Sequence, residues 1–173
     1  MRMIRPGRLF RVIFVAAVAF LAMGCSTWPK DVNVRLAESA QGAGTPSVDV
    51  HLVAVPASKL KQFRTMSVTD YWSPAGQSRS ALPARKELFL GPGATSRTIS
   101  RSDPVWKQWN PKQRPYLFVL ADLRGVAEKE GAADPRRIVL PLDKKRWPGG
   151  TKAIRIDVHR DRVQLVTPFK PRG

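Results

Sequence analysis

The feature that most restricts how this chain can fold is a two-residue hydrophobic period that recurs in short segments along its length. Val32, Val34 and Leu36 alternate with Asn33 and Arg35, and Val48, Val50 and Leu52 alternate with Asp49 and His51. Near the end, Ile154, Ile156 and Val158 alternate with Arg155 and Asp157. Successive side chains on a strand point to opposite faces, so each segment describes a strand with one face buried and the other solvated. On that reading Asp49, His51, Asp157 and His159 fall on solvated faces.

Further strands are expected at 87–90, 95–100, 137–142 and 163–166, the last entered through a turn at Asp161-Arg162. The run Tyr116–Ala121 (Tyr-Leu-Phe-Val-Leu-Ala) is apolar throughout, as befits a central strand covered on both faces. Two short helices interrupt the series. Pro56 ends a strand and can open a helix in which Leu60, Phe63 and Met66 share one side, with Lys59, Lys61 and Arg64 opposite. Asp103 reads as an N-cap with Pro104 in the first turn of a helix running to Trp109. Residues 67–72 and 74–83 read as irregular, and Gly91-Pro92-Gly93 and Trp147-Pro148-Gly149-Gly150 as turns. About eight strands with no βαβ alternation argue for an all-β sandwich carrying one or two short added helices. Trp72, Trp106, Trp109 and Trp147 lie in or beside loops and helix ends, where tryptophans plug the open ends of a sandwich.

One segment stands apart. Glu38, Ser39, Ala40, Gln41, Gly42, Ala43, Gly44, Thr45, Pro46 and Ser47 include no large apolar side chain and two glycines, so they form an exposed loop. At this length it exceeds what a tight hairpin needs, and long loops on rigid sheets often carry binding function.

The first 24 residues have a different character. Arg2, Arg5, Arg8 and Arg11 precede an uncharged apolar run at 12–23, the pattern of a signal peptide. Twelve residues are too few to cross a hydrocarbon core that needs about 20 in a helix. The run closes Leu21-Ala22-Met23-Gly24-Cys25, which resembles the lipobox of bacterial lipoproteins, with Ala22 where a branched aliphatic is commoner. Cys25 is the only cysteine and has no disulfide partner; lipidation removes a thiol that would be a liability in an oxidising compartment. The expected organisation is a signal at 1–24, a lipidated tether at 25–30, a sandwich domain at 31–168 and a tail at 169–173. By resemblance to the enterobacterial sorting rule, Ser26 points to the outer membrane, with the domain on the periplasmic side. Losing residues 1–24, with four arginines and no acids, takes the formal charge from +17 to +13. That balance favours acidic lipid, lipopolysaccharide or an acidic protein surface. Export takes the chain away from nucleic acid, which is not expected as a partner.

No enzyme chemistry is compelled. Asp-Val-His occurs twice, at Asp49-Val50-His51 and Asp157-Val158-His159, but alternation alone accounts for both. There is no Gly-x-Ser-x-Gly nucleophile elbow and no zinc-ligand spacing, and Asp103, Asp122, Glu128 and Glu130 are not brought together by any spacing. No cofactor or metal is expected.

Taken in order, the lipobox, Val48-Asp49-Val50-His51-Leu52-Val53, the helix with Phe63, Asp70-Tyr71-Trp72, Leu90-Gly91-Pro92-Gly93, the stretch from Tyr116 to Arg124 and the closing hairpin resemble the outer-membrane lipoprotein of type VI secretion systems, the TssJ (SciN, VasD) family. The resemblance implies a transthyretin-like sandwich. It also implies a role as outer-membrane anchor of a trans-envelope complex, with the 38–47 loop contacting the periplasmic domain of a large inner-membrane subunit. The chain departs from that pattern in its high basic charge and in an insertion at 73–85. The other function its sequence allows is an envelope lipoprotein whose basic face holds lipopolysaccharide or acidic lipid.

Overall fold

A computed structural model describes residues 31–42, 44–74, 82 and 85–170. The expected signal, Cys25 and tether lie outside the described residues, as do Ala43 and most of the 73–85 insertion. Eight strands form two four-stranded sheets: β1 (Asp31–Leu36), β2 (Val48–Val55), β3 (Arg85–Leu90), β4 (Ser96–Ile99), β5 (Tyr116–Ala121), β6 (Arg137–Pro141), β7 (Ala153–Val158) and β8 (Val163–Leu165). One sheet has the order β4-β1-β7-β8 and the other β3-β2-β5-β6. The all-β sandwich expected from the alternation is the fold observed.

Register follows from which side chains must be dry. In the first sheet Val32 faces Ile99 and Ile154, and Val34 faces Ile156, so one apolar row crosses three strands. In the second, Val50 faces Leu88 and Ala121, and Leu52 faces Val119. These rows meet between the sheets in the main core, which also holds Leu36, Leu90, Leu117, Leu140 and Leu142. A one-residue slip would turn every such row into water, so the pattern fixes the register. β1 and β7 are parallel and join opposite ends of the chain.

The two sheets differ on their outer faces. The outer face of the first carries polar ladders: Asn33 Nδ2 donates to Ser96 Oγ and Thr98 Oγ1 (3.1 and 2.9 Å), and Arg35 donates two hydrogen bonds to Asp157 (2.7 and 3.1 Å). The outer face of the second is roofed by α1 (Leu60–Thr65) and α2 (Val68–Trp72). Under that roof Val53, Val55, Phe63, Val68, Tyr71, Phe118 and Leu120 form a second core. β5 therefore buries both faces, as its continuous apolar run requires: Leu117 and Val119 look into one core, Phe118 and Leu120 into the other.

Two expectations are corrected here. Residues 67–72 are not irregular: Val68–Trp72 is a helical turn capped by Ser67, whose Oγ accepts from the Asp70 N–H at 3.0 Å. His51 is not solvated but 6% exposed, because the helical roof lies over its face of β2. Its Nδ1 lies 2.8 Å from Tyr71 Oη, and its ring packs on Trp72 at 4.4 Å.

The two ends of the sandwich are built differently. At the entry pole the chain comes in at Asp31, and β7, β5 and β3 begin beside the ends of β4, β2 and β6. Three of the four tryptophans plug this end as expected: Trp106 and Trp109 stack edge-to-face at 5.0 Å around α3 (Val105–Gln108), and Trp147 Nε1 donates to Pro141 O. Trp72 instead packs on His51 beside the second core, because α2 carries it onto the outer face of the sheet. Asp103 starts α3, its Oδ1 accepting from the Val105 N–H at 2.9 Å, and its other oxygen pairs with Lys86. Phe169 lies against Trp147 at 5.6 Å. At the opposite, loop pole, β1 hands over to β2 and β5 to β6.

Candidate functional site

The 38–47 loop crosses from one sheet to the other at the loop pole and is anchored at both ends. Glu38–Ala40 winds one 3₁₀ turn, with the Ala40 side chain buried, and Gln41 Nε2 donates back to Leu36 O at 2.8 Å. Gly42 and Gly44 then take φ of +141° and +81°, backbone regions that side chains other than glycine's rarely enter. The Thr45 N–H closes this bend onto Gly42 O at 3.2 Å. At the far end Ser47 sits directly over Gly91, where an added Cβ would come within 2.7 Å of Ser47 Oγ. Glycine at that turn is what lets the loop lie down on the β3–β4 connection. Glu38, Ser39, Gln41, Gly42, Gly44, Pro46 and Ser47 are exposed.

A cleft of about 400 Å³ opens beside the loop. Ala40 and residues 44–48 make one wall, Asp122-Leu123-Arg124 after β5 the second, and Arg160 from the β7–β8 turn the third. Thr45 Oγ1 is shielded from solvent in this wall and has no hydrogen-bond partner among the described residues. Apolar Leu123 and Ala40, guanidinium groups of both flanks and one carboxylate give the cleft the mixed lining of a protein contact.

The β5–β6 connection is tied to the helical roof by a buried ionic cluster that sequence reasoning missed. Arg136 donates to both oxygens of Asp134 (3.0 and 2.7 Å) and to Thr69 Oγ1 at 3.2 Å. Burial pushes the Asp134 carboxyl upward, but hydrogen bonds from the Arg136 side chain, and from the Arg136 and Lys129 N–H groups, outweigh it and hold the carboxyl below its ordinary range. The Asp134 hydrogen bond in turn raises Arg136. Glu128 is also held low, by hydrogen bonds from Ser67 and Thr69, and accepts from the Val68 N–H at 2.8 Å. Arg137 Nη1 donates to the carbonyls of Phe63 and Met66, its guanidinium also binding Gly131 O, so it closes the C-terminal end of α1. Desolvation lowers Arg137 from its ordinary value. The one sequence signal for this cluster was Asp134-Pro135-Arg136-Arg137 ahead of a strand, an acid and two cations entering a buried element.

The two Asp-Val-His tripeptides are not brought together. Asp49 and His51 lie on β2, while Asp157 and His159 lie on or just after β7 in the other sheet, and Asp157 is taken up by Arg35. Asp103 is at the entry pole, whereas Asp122, Glu128 and Glu130 are near the loop pole. No group of three His, Cys, Asp or Glu among the described residues is arranged to hold a metal.

The sandwich matches solved structures from type VI secretion systems. A chain of the structure named "Type VI membrane complex" is 17% identical, with a TM-score of 0.54 over 79% of this chain and 96% of that one. A chain of "T6SS protein TssM C-terminal domain" from EAEC is 16% identical, with a TM-score of 0.54 over 80% of this chain and 100% of the other. The T6SS lipoprotein TssJ1 from Pseudomonas aeruginosa is 16% identical, with a TM-score of 0.48 over 84% of this chain and 100% of that chain. At such identities the likeness is one of fold. No protein-family model and no curated protein matches the chain.

Proposed function

We propose that this chain is a lipid-anchored assembly component of a type VI secretion membrane complex. Acyl chains on Cys25 hold it in the outer membrane, and the 38–47 loop with its cleft binds the periplasmic domain of a large inner-membrane subunit. The observation that carries the reading is the loop itself: a glycine-bent, doubly anchored segment beside a cleft lined by Ala40, Leu123, Asp122, Arg124 and Arg160, at the pole opposite the chain's entry. The shared fold with a type VI membrane complex chain supports it, and so do the signal and lipobox pattern ending at Cys25. A rigid sandwich with a tether at one pole and a contact at the other spans a gap without any catalytic step.

The test is a pull-down from solubilised envelopes with the lipidated protein, against a version whose 38–47 loop is replaced by a short Gly-Ser turn. Wild type should recover an inner-membrane protein with a periplasmic domain, identified by mass spectrometry, and the loop swap should lose it. Recovery of lipid or lipopolysaccharide alone, equally by both proteins, refutes the assembly role. Intact mass of the extracted protein checks the anchor: a mature N-terminus away from Cys25, without acyl mass, refutes it.

A further inference from the structure

The high positive charge is not spread evenly over the sandwich. At the entry pole Arg101, Lys107, Lys112, Lys144, Lys145 and Lys152 are exposed, and Lys170 joins them where its carbonyl accepts from Arg146 at 2.9 Å. The acids there are engaged locally. Asp31 accepts from the Arg101 N–H at 2.7 Å, Asp103 pairs with Lys86 at 2.9 Å, and Asp143 caps the 3₁₀ turn Lys144–Arg146 by accepting from the Lys145 N–H at 3.0 Å. At the loop pole Arg124, Lys129, Arg160 and Arg162 stand among Glu38, Asp49, Asp122, Glu130 and Asp161, close to balance. The molecule is cationic at the end where the chain enters and nearly neutral at the end that carries the loop.

From this asymmetry we infer that the entry pole is a docking surface for the phosphate headgroups of an anionic bilayer, and that docking points the 38–47 loop away from that membrane. The inference rests on the lipid anchor proposed above. Cys25 is six residues before Asp31, a reach of at most about 20 Å, so this pole is held close to the headgroups. A tether alone lets the domain turn either way. Each basic residue close to an anionic leaflet favours the docked state by roughly 5-fold, an attraction that fades beyond a Debye length. β1, six residues long, separates the poles by about 20 Å, so only one of them can sit within that range. Docked, the sandwich becomes a strut with its contact loop held toward the periplasm.

The experiment measures energy transfer from a protein-borne donor to an acceptor on the headgroups, with the lipidated protein in vesicles. Donors are placed singly through Gly149→Cys at the entry pole and Ser39→Cys in the loop. Both positions are exposed, and a Cβ at Gly149 meets nothing within 4 Å. Cys25, the only native cysteine, is blocked by its lipid.

On vesicles of phosphatidylcholine with phosphatidylglycerol at about 0.1 M salt, where the Debye length is about 10 Å, transfer from position 149 should exceed that from position 39 several-fold. The difference should collapse on phosphatidylcholine alone, in high salt, and with Lys144→Glu and Lys145→Glu together. Equal transfer from both positions on anionic vesicles overturns the inference, as does an ordering indifferent to lipid charge, salt and charge reversal. Intact mass separates the two claims. Acyl mass with no ordering defeats the docking surface alone, whereas sedimentation with anionic vesicles without acyl mass defeats the anchor and leaves the basic pole standing.

Discussion

Asp134 has no exposed side-chain surface and faces a guanidinium that is 8% exposed, so neither charge has water to fall back on. Removing one partner of such a pair leaves the other buried and uncompensated, which costs about 3–5 kcal/mol when nothing else takes it up. Glu128 lies 3.8 Å from Arg136 and Thr69 accepts from it, so Asp134→Asn should cost about 3 kcal/mol, at the lower end. Urea unfolding reads it as a lower midpoint at unchanged slope; a shift under about 0.5 kcal/mol would show the pair to be energetically idle. The same carboxyl sets an acid limit. Its folded pKa is depressed, so its contribution is fully present above the unfolded value near 4 and is lost as pH falls through the lower folded value. Glu128 and Asp103, both also depressed, titrate with the same sign. These groups leave stability flat from pH 7 to about 4 and falling below that, and Asp134→Asn should flatten the acid limb.

β5 separates two cores, and its alternate residues report on them independently. Leu117→Ala empties space between the sheets, where both sheets lose contacts, and should cost about 2–5 kcal/mol with amide exchange accelerated in β1 and β7 as well as β5. Phe118 packs against Phe63 at 5.2 Å under the roof. Phe118→Ala should cost about 3–5 kcal/mol, with the fastest added exchange in α1 and α2 and little in the first sheet. Identical exchange maps for the two variants would show that the roof and the sandwich unfold as one unit. The apolar run at Tyr116–Ala121 made this strand legible, because only a position buried on both sides tolerates it. The inter-sheet face of β2 was legible from Val48, Val50 and Leu52 for the same reason. The outer face was legible at Asp49, which is exposed as expected, and misread at His51, which looks solvated until something is known to lie over it. The cover is α2, a five-residue helix too short to show a period. Its one local sign was Ser67 three residues ahead of Asp70, the spacing of a capping interaction. The loop was legible from composition alone, while the cleft beside it was not, since Arg160 and Asp122 reach it only through the sheet pairing.

At the scale of the molecule, the parallel pairing of β1 with β7 governs how the chain becomes stable. Asp31 faces Ala153 and Leu36 faces Val158, so the second strand in the order β4-β1-β7-β8 is completed by a segment more than a hundred residues later. Pairings that distant close slowly, because the loop entropy is lost before contacts return it. Until β7 arrives, β1 has only β4, four residues long, and the row Val32, Val34 and Leu36 lies open on one side. Two truncations separate the central strand from the edge. Ending the chain after Val158 removes β8, whose Val163 N–H bonds Pro135 O and whose side chains cover one margin of the core. That loss should leave both sheets and a cooperative thermal transition, at a lower midpoint. Ending it after Lys152 removes Ile154, Ile156 and Val158, each fully buried, and strands the inner face of β1. Each such side chain contributes about 1.5–3 kcal/mol of burial, so together they approach the whole stability of an ordinary domain. The shorter chain should show no cooperative transition and should be degraded by protease under conditions where the longer one survives. Cooperative melting of the chain ending at Lys152 would mean that the β3-β2-β5-β6 sheet and its helical roof fold without the other sheet, and that the parallel strand joins a body already formed.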